Sequence, residues 1–261
     1  MIFNVGTYKA GSSFAIPTFS GSHAIFGDEK QGYIECYSTG TITFPKAGMV
    51  DVFVLGSGLA GQNGSVYSNE KVPVMGGLAG GEGGKGATGK TLTQIKVEGT
   101  YSVSVAAECT SSTTANKSTA FGTTVNTTTD NGGSYGIVDS RDSGSVYSGG
   151  KGADGTSYPF GANNADGFVD TNSKWYQKKL GAGGGGSGAF VSYNGSRFAS
   201  GGKGGVFGGG EGSYAEGKPA SANTGSGGGG GGVGIHVGDA YTNKGGNGGS
   251  GIVIIRWGYA A

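Results

Sequence analysis

Alternating apolar and polar residues near the start of the chain predict a run of short β-strands. Segments rich in β-forming residues, bounded by Gly, Pro and Asp, are Ala24–Phe26, Tyr33–Tyr37 and Thr41–Phe44. Phe44–Gly48, with the sequence FPKAG, predicts a turn. Val50–Leu55 is apolar on both faces toward its end, which is typical of a buried strand.

The same period of two recurs in the middle of the chain and at its end. Thr91–Val97 and Thr100–Val105 both alternate, and the Glu98-Gly99 pair between them predicts a β-hairpin. Ile252–Trp257 (IVIIRW) is rich in β-branched residues and predicts another strand. We expect these strands to share one sheet with Val50–Leu55. No segment shows a helical apolar period with caps, so negligible helix is expected.

Between these strands the chain is dominated by glycine, which makes up 62 of the 261 residues. Glycine loses more backbone entropy on folding than any other residue, so an ordered chain of this composition needs positions that only a hydrogen atom fits. Polyglycine II helices provide such positions: they rise about 3.1 Å per residue with a three-fold repeat, and their backbone groups must pair with neighbouring helices. The longest glycine tracts are residues 76–86, 181–188, 200–212, 225–234 and 245–251.

These patterns predict an all-β protein with negligible helix, in which a β-sheet scaffold at the chain ends carries a polyglycine II bundle with long loops. Residues 1–56 are expected to form an N-terminal β segment that serves attachment and belongs to the sheet. Residues 57–261 are expected to form a glycine-rich domain with the hairpin 91–105 and the strand 252–257, which returns to the sheet. Polar and aromatic insertions, expected as loops at the ends of the bundle, span 110–147, 156–180, 190–199, 214–224 and 235–244.

Close packing of glycine makes a specific demand on the middle of each tract. A valine in place of Gly229 should disrupt the bundle, because its side chain has no room between packed helices. Ser226→Ala, at the edge of the same tract, should matter little.

Charge and cysteine content exclude several classes of function. Charged residues make up 13% of the chain and its net charge is +1, so no surface for nucleic acid or an anionic membrane is expected. We find no signal-peptide pattern and no apolar run near the ~20 residues that span a bilayer, so synthesis in a cytoplasm is expected. Cys36 and Cys109 match no metal-binding spacing, which leaves two buried free thiols or one disulfide as alternatives.

Sequence motifs that would carry chemistry are weak. Residues 84–91 (GKGATGKT) match the phosphate-loop pattern, but a glycine tract precedes them and a strand follows where a buried strand and a helix are required. Gly149–Asp154 begins like a calcium-binding repeat but occurs once, and such sites need stacked copies. His23 and His236 lie in no nucleophile context. We predict no catalytic residue, metal or cofactor, and an enzyme such as a glycan depolymerase is the weakest hypothesis.

Aromatic residues in the insertions are the stronger candidates for function. Rigid aromatic side chains on loops give contact area at low entropy cost, and they stack on sugar rings. The alternative is that they form small satellite cores over the ends of the bundle. His236 follows the longest glycine run and is included as a contact in a tip loop. The candidate receptor-binding residues are Tyr158, Phe160, Trp175, Tyr176, Phe190, Tyr193, Phe198, Tyr214, His236 and Tyr241.

The order of these segments resembles the glycine-rich domain found at the ends of phage and prophage tail proteins. The resemblance covers about residues 24–257 and is carried by Ser38–Pro45, Val50–Gly56, Gly83–Gly86 before Tyr101–Val105, Ser118–Gly122 and, most specifically, Gly248–Trp257. A polyglycine II bundle with receptor-contacting loops is also similar to the distal fibre adhesins of T-even-like phages.

This resemblance implies a non-enzymatic receptor-binding protein of a phage tail tip or tail fibre, located in the virion. The expected partners are a bacterial surface receptor, either a glycan or an outer-surface protein, and other tail or fibre proteins. No nucleic acid partner and no membrane insertion are expected. The sequence does not determine the oligomeric state, and a homotrimer is one alternative, because tail tips are often trimeric. The alternative function is a structural virion protein, such as a decoration or tip-closing subunit, without receptor binding.

Overall fold

In the part of the chain that the structure describes, the assigned secondary structure is β-strand without α-helix, as the lack of helical periodicity predicts. The computed structural model describes residues 14–67, 77–138, 146–160, 179–192, 197–236 and 239–258, and no helix occurs among them. In chain order the strands are β1 Thr18–Phe19, β2 His23–Gly27, β3 Gly32–Cys36, β4 Gly40–Leu55, β5 Ser65–Tyr67, β6 Gly77–Ala79, β7 Lys90–Ser104, β8 Ser118–Ala120, β9 Thr123–Val125, β10 Ile137–Val138, β11 Val146–Tyr147, β12 Ala189–Ser192, β13 Arg197–Ala199, β14 Val233–His236, β15 Asp239–Thr242 and β16 Ile252–Trp257.

The largest sheet has the strand order β2-β3-β16-β4-β7-β8-β9, with β1 also paired to β4. All of its pairings are antiparallel. Ile252 pairs with Leu55 and Trp257 with Val50, so the C-terminal strand returns to the sheet beside the buried segment of β4. The prediction that these strands share a sheet with the 91–105 region is confirmed.

The predicted hairpin of residues 91–105 is wrong. Lys90–Ser104 is one strand, β7, which pairs along its length with β4. The register breaks at a bulge, where residues 45–47 of β4 lie opposite Glu98 alone. Gly99 beside it has a φ of +78°, a left-handed conformation that glycine adopts without strain. Pro45 in this bulge has no N–H to donate to β7. The turns predicted at Phe44–Gly48 and at Glu98-Gly99 therefore lie opposite each other and form one bend in a pair of long strands.

The main sheet curls around a hydrophobic core. Residues on both sides of the β4 bulge, such as Phe44 and Val52, contribute to the same cluster. Trp257 also belongs to it, stacks on Phe14, and donates from Nε1 to the carbonyl oxygen of Asp28 at 2.8 Å. The cluster consists of Phe19, Ile34, Cys36, Ile42, Phe44, Val50, Val52, Val54, Val97, Val103, Val105, Ala120, Val125, Val253, Ile255 and Trp257.

Both cysteines are buried free thiols, so the disulfide alternative is wrong. Cys36 lies in the core of the sheet, where burial raises the pKa of its thiol to about 12, with a further contribution from the neighbouring Glu35 carboxylate. Cys109 lies elsewhere and donates its S–H to the carbonyl oxygens of Ser111 and Thr114 at 3.3 and 3.2 Å.

The glycine tracts form a lattice of extended chains joined by backbone hydrogen bonds. Along residues 57–64, every third N–H from Gly58 onward donates to the tract 243–249 at 2.9–3.0 Å. The N–H groups of Leu59 and Gln62, again three residues apart, donate to a different tract, at residues 82–85, with distances of 2.9 Å. A repeat of three residues, with bonds pointing in different directions, is the pattern of polyglycine II. The predicted bundle is therefore present, together with the β-sheet scaffold.

Two tracts, 181–188 and 225–232, lie inside the lattice and are buried along their whole length. Their N–H and C=O groups are paired with surrounding tracts, as a buried backbone requires. A Cβ atom built on Gly229 would lie 1.9 Å from the carbonyl oxygen of Glu211, so no side chain fits there. The tracts that surround 225–232 contain residues 59–62, 81–84, 182–185, 210–213, 215–218 and 243–249.

The outer tracts carry a side chain at every third residue, on the face turned away from the lattice. A G-G-X repeat therefore marks a surface tract, whereas nearly unbroken glycine marks an interior one. These outward side chains belong to Glu82 and Lys85, to Ser148, Lys151 and Asp154, and to Ser200, Lys203 and Val206.

Ser226 is part of the buried lattice, which corrects the expectation that Ser226→Ala is harmless. Its relative exposure is 0%. Its Oγ accepts a hydrogen bond from the Ala182 N–H at 3.1 Å and donates to the Phe207 carbonyl oxygen at 3.2 Å. The hydroxyl therefore acts as a linking group between tracts.

One end of the lattice, called the sheet end here, is attached to the main sheet. Tract 57–64 begins directly after β4, and tracts 80–87 and 243–250 lead into β7 and β16. The interior tract 225–232 runs parallel to 57–64, since its residues 228 and 231 donate in turn to the carbonyl oxygens of residues 59 and 62. It also runs parallel to 181–188, since residues 227 and 230 donate in turn to residues 182 and 185. A second hydrophobic cluster fills this junction and contains Phe53, Leu55, Ala87, Phe160, Leu180, Ile252 and Ile254.

Candidate functional site

Two small β-sheets form the opposite end of the lattice, which we call the tip. One sheet has the order β11-β10-β6-β5 and the other β13-β12-β14-β15. Each strand continues a glycine tract: β5, β10, β12 and β14 extend tracts outward, and β6, β11, β13 and β15 lead back into the next ones. The sheets lie against each other, with β10 against β12 and β13, and β6 against β14.

The lattice changes to a β-strand where glycine gives way to residues with side chains. Residues 225–232 are glycine except for Ser226, and Val233 and Ile235 follow in β14. A branched side chain has no room in the lattice, whereas a strand directs successive side chains to opposite faces of its sheet. The tip strands therefore continue the tracts of the lattice directly.

Four tyrosines supply the exposed large hydrophobic surface of the tip, among the residues whose side chains are described. They are Tyr135, Tyr147, Tyr214 and Tyr241, with relative exposures of 40%, 59%, 46% and 38%. At the sheet end the exposed large hydrophobic residues are of another kind: Ile16, Ile25, Phe26, Val206 and Phe207. Among the side chains that the structure describes, the exposed large hydrophobic residues of the two ends thus differ in kind.

Tyr241 and Tyr214 lie on the same side of the tip. Tyr241 pairs with Gly234 across β14 and β15, and its ring covers that glycine: a Cβ atom on Gly234 would lie 2.2 Å from the tyrosine Cζ. Tyr214 lies in the turn before tract 215–220, and the Asn243 side chain donates from Nδ2 to its carbonyl oxygen at 3.4 Å. Since Asn243 is two residues from Tyr241, the turn and the hairpin are joined.

Tyr135 and Tyr147 lie beside the other small sheet, and sequence reasoning did not single them out as site residues. Gly136, which follows Tyr135, donates to the Ser187 carbonyl oxygen at 2.9 Å. A Cβ atom on Gly136 would lie 2.9 Å from the carbonyl oxygen of Tyr147. The sequence signal that could have identified them is their position, because each tyrosine adjoins the end of a glycine tract, where the chain emerges from the lattice.

Five of the predicted contact residues belong to the tip by their backbone positions. Phe190, Phe198 and His236 lie in β12, β13 and β14. Tyr214 and Tyr241 are the two members whose exposed side chains are described. Tyr193, predicted for the same region, lies outside the described residues.

Tyr158 and Phe160 belong to an insertion at the sheet end. Tyr158 is half-buried near Lys179, whose Nζ lies 5.9 Å from the ring centroid. Phe160 is only 9% exposed and belongs to the junction cluster, so its assignment as a receptor contact is corrected: its ring is part of a core. Trp175 and Tyr176 lie outside the described residues.

A buried ion pair lies beneath Phe160. The Arg256 guanidinium carbon is 4.1 Å from the centroid of the phenyl ring, and its Nε and Nη2 lie 3.0 and 2.9 Å from Asp51 Oδ2. Asp51 Oδ1 accepts the Gln94 N–H at 2.8 Å, which fixes the second bulge of the β4–β7 pair. This group of charges fastens the insertion and three strands together at the junction.

Two carboxylates on the flank of the lattice have pKa values below the usual range. The Val206 N–H donates to Asp154 Oδ1 at 2.9 Å and lowers the pKa of that carboxyl. Lys218 does the same for Glu211 through an ion pair at 2.6 Å. These bonds hold surface turns in place and gather no reactive groups. Among the residues that the structure describes, no cluster of His, Cys, Asp or Glu could hold a metal ion.

The phosphate-loop match at residues 84–91 lies where tract 80–87 enters β7. Its backbone N–H groups are already engaged: that of Gly84 donates to the Gly228 carbonyl oxygen, that of Ala87 to Gly225, and that of Gly86 to Asn131 Oδ1. They therefore do not form the open anion cradle that a phosphate loop needs. In the described part of the chain, no helix is long and apolar enough to cross a membrane.

Comparison with known protein families places residues 36–258 in one family. No curated protein and no solved structure matches the chain significantly. A family model described as a glycine-rich domain matches residues 36–258, which include most strands of the main sheet, the lattice and the tip. Because this match covers most of the sequence, the chain belongs to the glycine-rich domain family.

Proposed function

We propose that this protein is a non-enzymatic receptor-binding protein, an adhesin, of a phage tail tip or tail fibre. The observation that carries the proposal is the set of exposed tyrosines on a tip that the lattice holds away from the main sheet. The resemblance of the strand and glycine order to tail-protein domains supports a location in the virion. The tip would contact the surface of the bacterial host.

The lattice is suited to presenting a contact surface without bending. An eight-residue tract such as 225–232 spans roughly 25 Å at the rise of polyglycine II. Its backbone groups are paired with neighbouring tracts along that length. A surface that is ordered before binding loses little conformational entropy when it binds. Tyrosine adds large contact area with few rotatable bonds.

The main sheet is the part that we assign to attachment. It lies opposite the tip and exposes apolar side chains such as Ile16 and Ile25. Exposed apolar side chains of this kind fit a dry contact with another protein. The partners at this end would be other tail or fibre proteins.

Binding of fluorescently labelled protein to intact cells of the source bacterium and its relatives tests this function. The proposal expects saturable binding that is confined to some strains. A Tyr147→Ala/Tyr214→Ala variant should lose most of the binding. Phe207→Gly is the matched control: it removes an exposed aromatic at the sheet end, where a φ of +72° is easily adopted by glycine.

The opposite results identify the alternative. If folded protein bound no strain, the receptor-binding role would be wrong and the structural virion role would remain. Immuno-electron microscopy of particles would then be expected to show many copies along a capsid or tube. A few copies at the tail tip, together with strain-specific binding, are the pattern that an adhesin requires.

A further inference from the structure

Building on the proposed function, we infer that the tip binds a carbohydrate, with Tyr241 and Tyr214 as its stacking platform. The ligand class is a saccharide of the bacterial surface whose sugar rings lie flat against phenol rings. The residues that carry this inference are the exposed tyrosines of the tip and the glycine beneath one of them.

The first argument is the difference between the two ends of the molecule. Among tip residues with described side chains, every exposed large hydrophobic residue is a tyrosine. The sheet end exposes isoleucine, valine and phenylalanine instead. Aliphatic and phenyl groups fit dry protein pockets, whereas a phenol ring combines a flat apolar face with a hydroxyl group. A sugar ring has the same combination, with C–H groups on its faces and hydroxyls at its edge.

The second argument is the geometry of Tyr241. Its ring lies over Gly234, so closely that the glycine has no room for a Cβ atom. The backbone of β14 therefore supports the inner face of the ring, and 38% of the residue remains exposed. A ring supported in this way presents a fixed flat surface and needs no ordering on binding.

The third argument is the polar surroundings of the platform. Thr242 is exposed beside Tyr241, and Asn243 connects that strand to the turn of Tyr214. The neighbouring charged residues with described side chains, Glu216 and Lys244, have opposite signs. This mixture provides hydrogen-bonding groups without a field of one sign, which favours a neutral polar ligand over a polyanion.

Treated cells separate a carbohydrate from a protein receptor. Cells of a strain that binds the protein are incubated with proteinase K or with sodium periodate, which cleaves the vicinal diols of sugars. We expect binding to survive the protease and to be lost after periodate. Protein-free polysaccharide extracted from the same cells should compete for binding. Loss after protease with survival after periodate would overturn the carbohydrate assignment and leave the adhesin function standing, whereas no binding to untreated cells would contradict the function itself.

Variants of Tyr241 test the stacking platform. Leucine keeps an apolar cover over Gly234 but removes the flat ring, so Tyr241→Leu should weaken binding of the extracted polysaccharide by about tenfold. Tyr241→Phe keeps the ring, so its binding of the polysaccharide should weaken less than that of the leucine variant. Tyr214→Ala, in a separate turn, should also weaken binding, and melting curves establish that each variant is folded. Equal losses for the leucine and phenylalanine variants, or full binding by the leucine variant, would overturn the stacking role.

Discussion

The main sheet and the glycine lattice bury their backbones in different ways. In the sheet, strands pair side by side and apolar side chains such as Ile34 and Ile255 fill the core. In the lattice, residues 181–188 and 225–232 are buried almost without side chains, because other backbones surround them. Stability of the sheet therefore depends on apolar volume, whereas stability of the lattice depends on the absence of Cβ atoms.

This difference also affects how each region folds. Ordering a residue costs about 1–2 kcal/mol of backbone entropy, and glycine costs the most. A net hydrogen bond returns about 1 kcal/mol, so an isolated glycine tract does not hold itself in shape. Each tract gains its bonds only when its neighbours are in place. The lattice is thus expected to form as one cooperative unit, supported by the sheet from which its tracts start.

The largest effect is expected from a side chain placed inside the lattice. Gly229→Val should destabilise the protein by more than about 4 kcal/mol, because even the first carbon would lie 1.9 Å from a backbone oxygen. Lys203→Ala, on the outward face of a surface tract, should change stability by less than about 0.5 kcal/mol. Urea unfolding followed by circular dichroism measures both. Similar midpoints for the two variants would contradict the glycine lattice.

In the main sheet, breaking the buried ion pair should cost more than removing one methylene group from the core. Arg256→Met leaves the Asp51 carboxyl group buried without its cationic partner, which should cost about 3–5 kcal/mol. Ile254→Val, on the same strand and also fully buried, removes one methylene and should cost about 1 kcal/mol. Thermal unfolding at neutral pH compares the two. Equal losses would show that the ion pair does not fasten the junction.

A smaller effect is expected where the lattice contains a hydroxyl. Ser226→Ala removes the acceptor of the Ala182 N–H and should cost about 2 kcal/mol, because that buried donor is left unsatisfied. Ser200→Ala is a matched control in a surface tract, where the hydroxyl is exposed. Differential scanning calorimetry resolves the difference. If the Ser226 variant were as stable as the Ser200 variant, the Ser226 hydroxyl would not stabilise the lattice, and the position would tolerate substitution.

The fold could be predicted as far as local periodicity reached. Alternation located the strands of the main sheet, and glycine runs identified the lattice and its packing. Local pattern does not show which strand pairs with which. Thr91–Val105 predicts a hairpin because its two alternating halves and the Glu98-Gly99 pair between them are compatible with two strands and a turn. The observed strand has a better partner in β4, whose sixteen residues match it along its whole length.

The exposure of candidate contact residues could be predicted by residue type, but their position in the fold could not. Aromatic insertions were correctly regarded as surface candidates in the case of Tyr214 and Tyr241, which are exposed. The sequence does not reveal at which end of the lattice an insertion emerges, since that depends on how many tracts precede it and which way each runs. Phe160 therefore looked equivalent to the tip residues, although it packs under the main sheet.

Alkaline pH should weaken the sheet through Cys36, and up to pH 10 this is the smallest of these effects. Burial raises the pKa of this thiol from 9.0 to about 12, so in the unfolded chain it ionises first. The stabilisation is therefore complete below pH 9 and is lost as pH rises toward 12, by up to about 1.4 kcal/mol per pH unit. Urea unfolding at pH 8, 9 and 10 should show this decline, and Cys36→Ala, less stable at neutral pH, should decline less steeply. Tyr37, whose pKa burial also raises, begins to contribute only nearer pH 10, so parallel declines for the two proteins below that pH would contradict the role of Cys36.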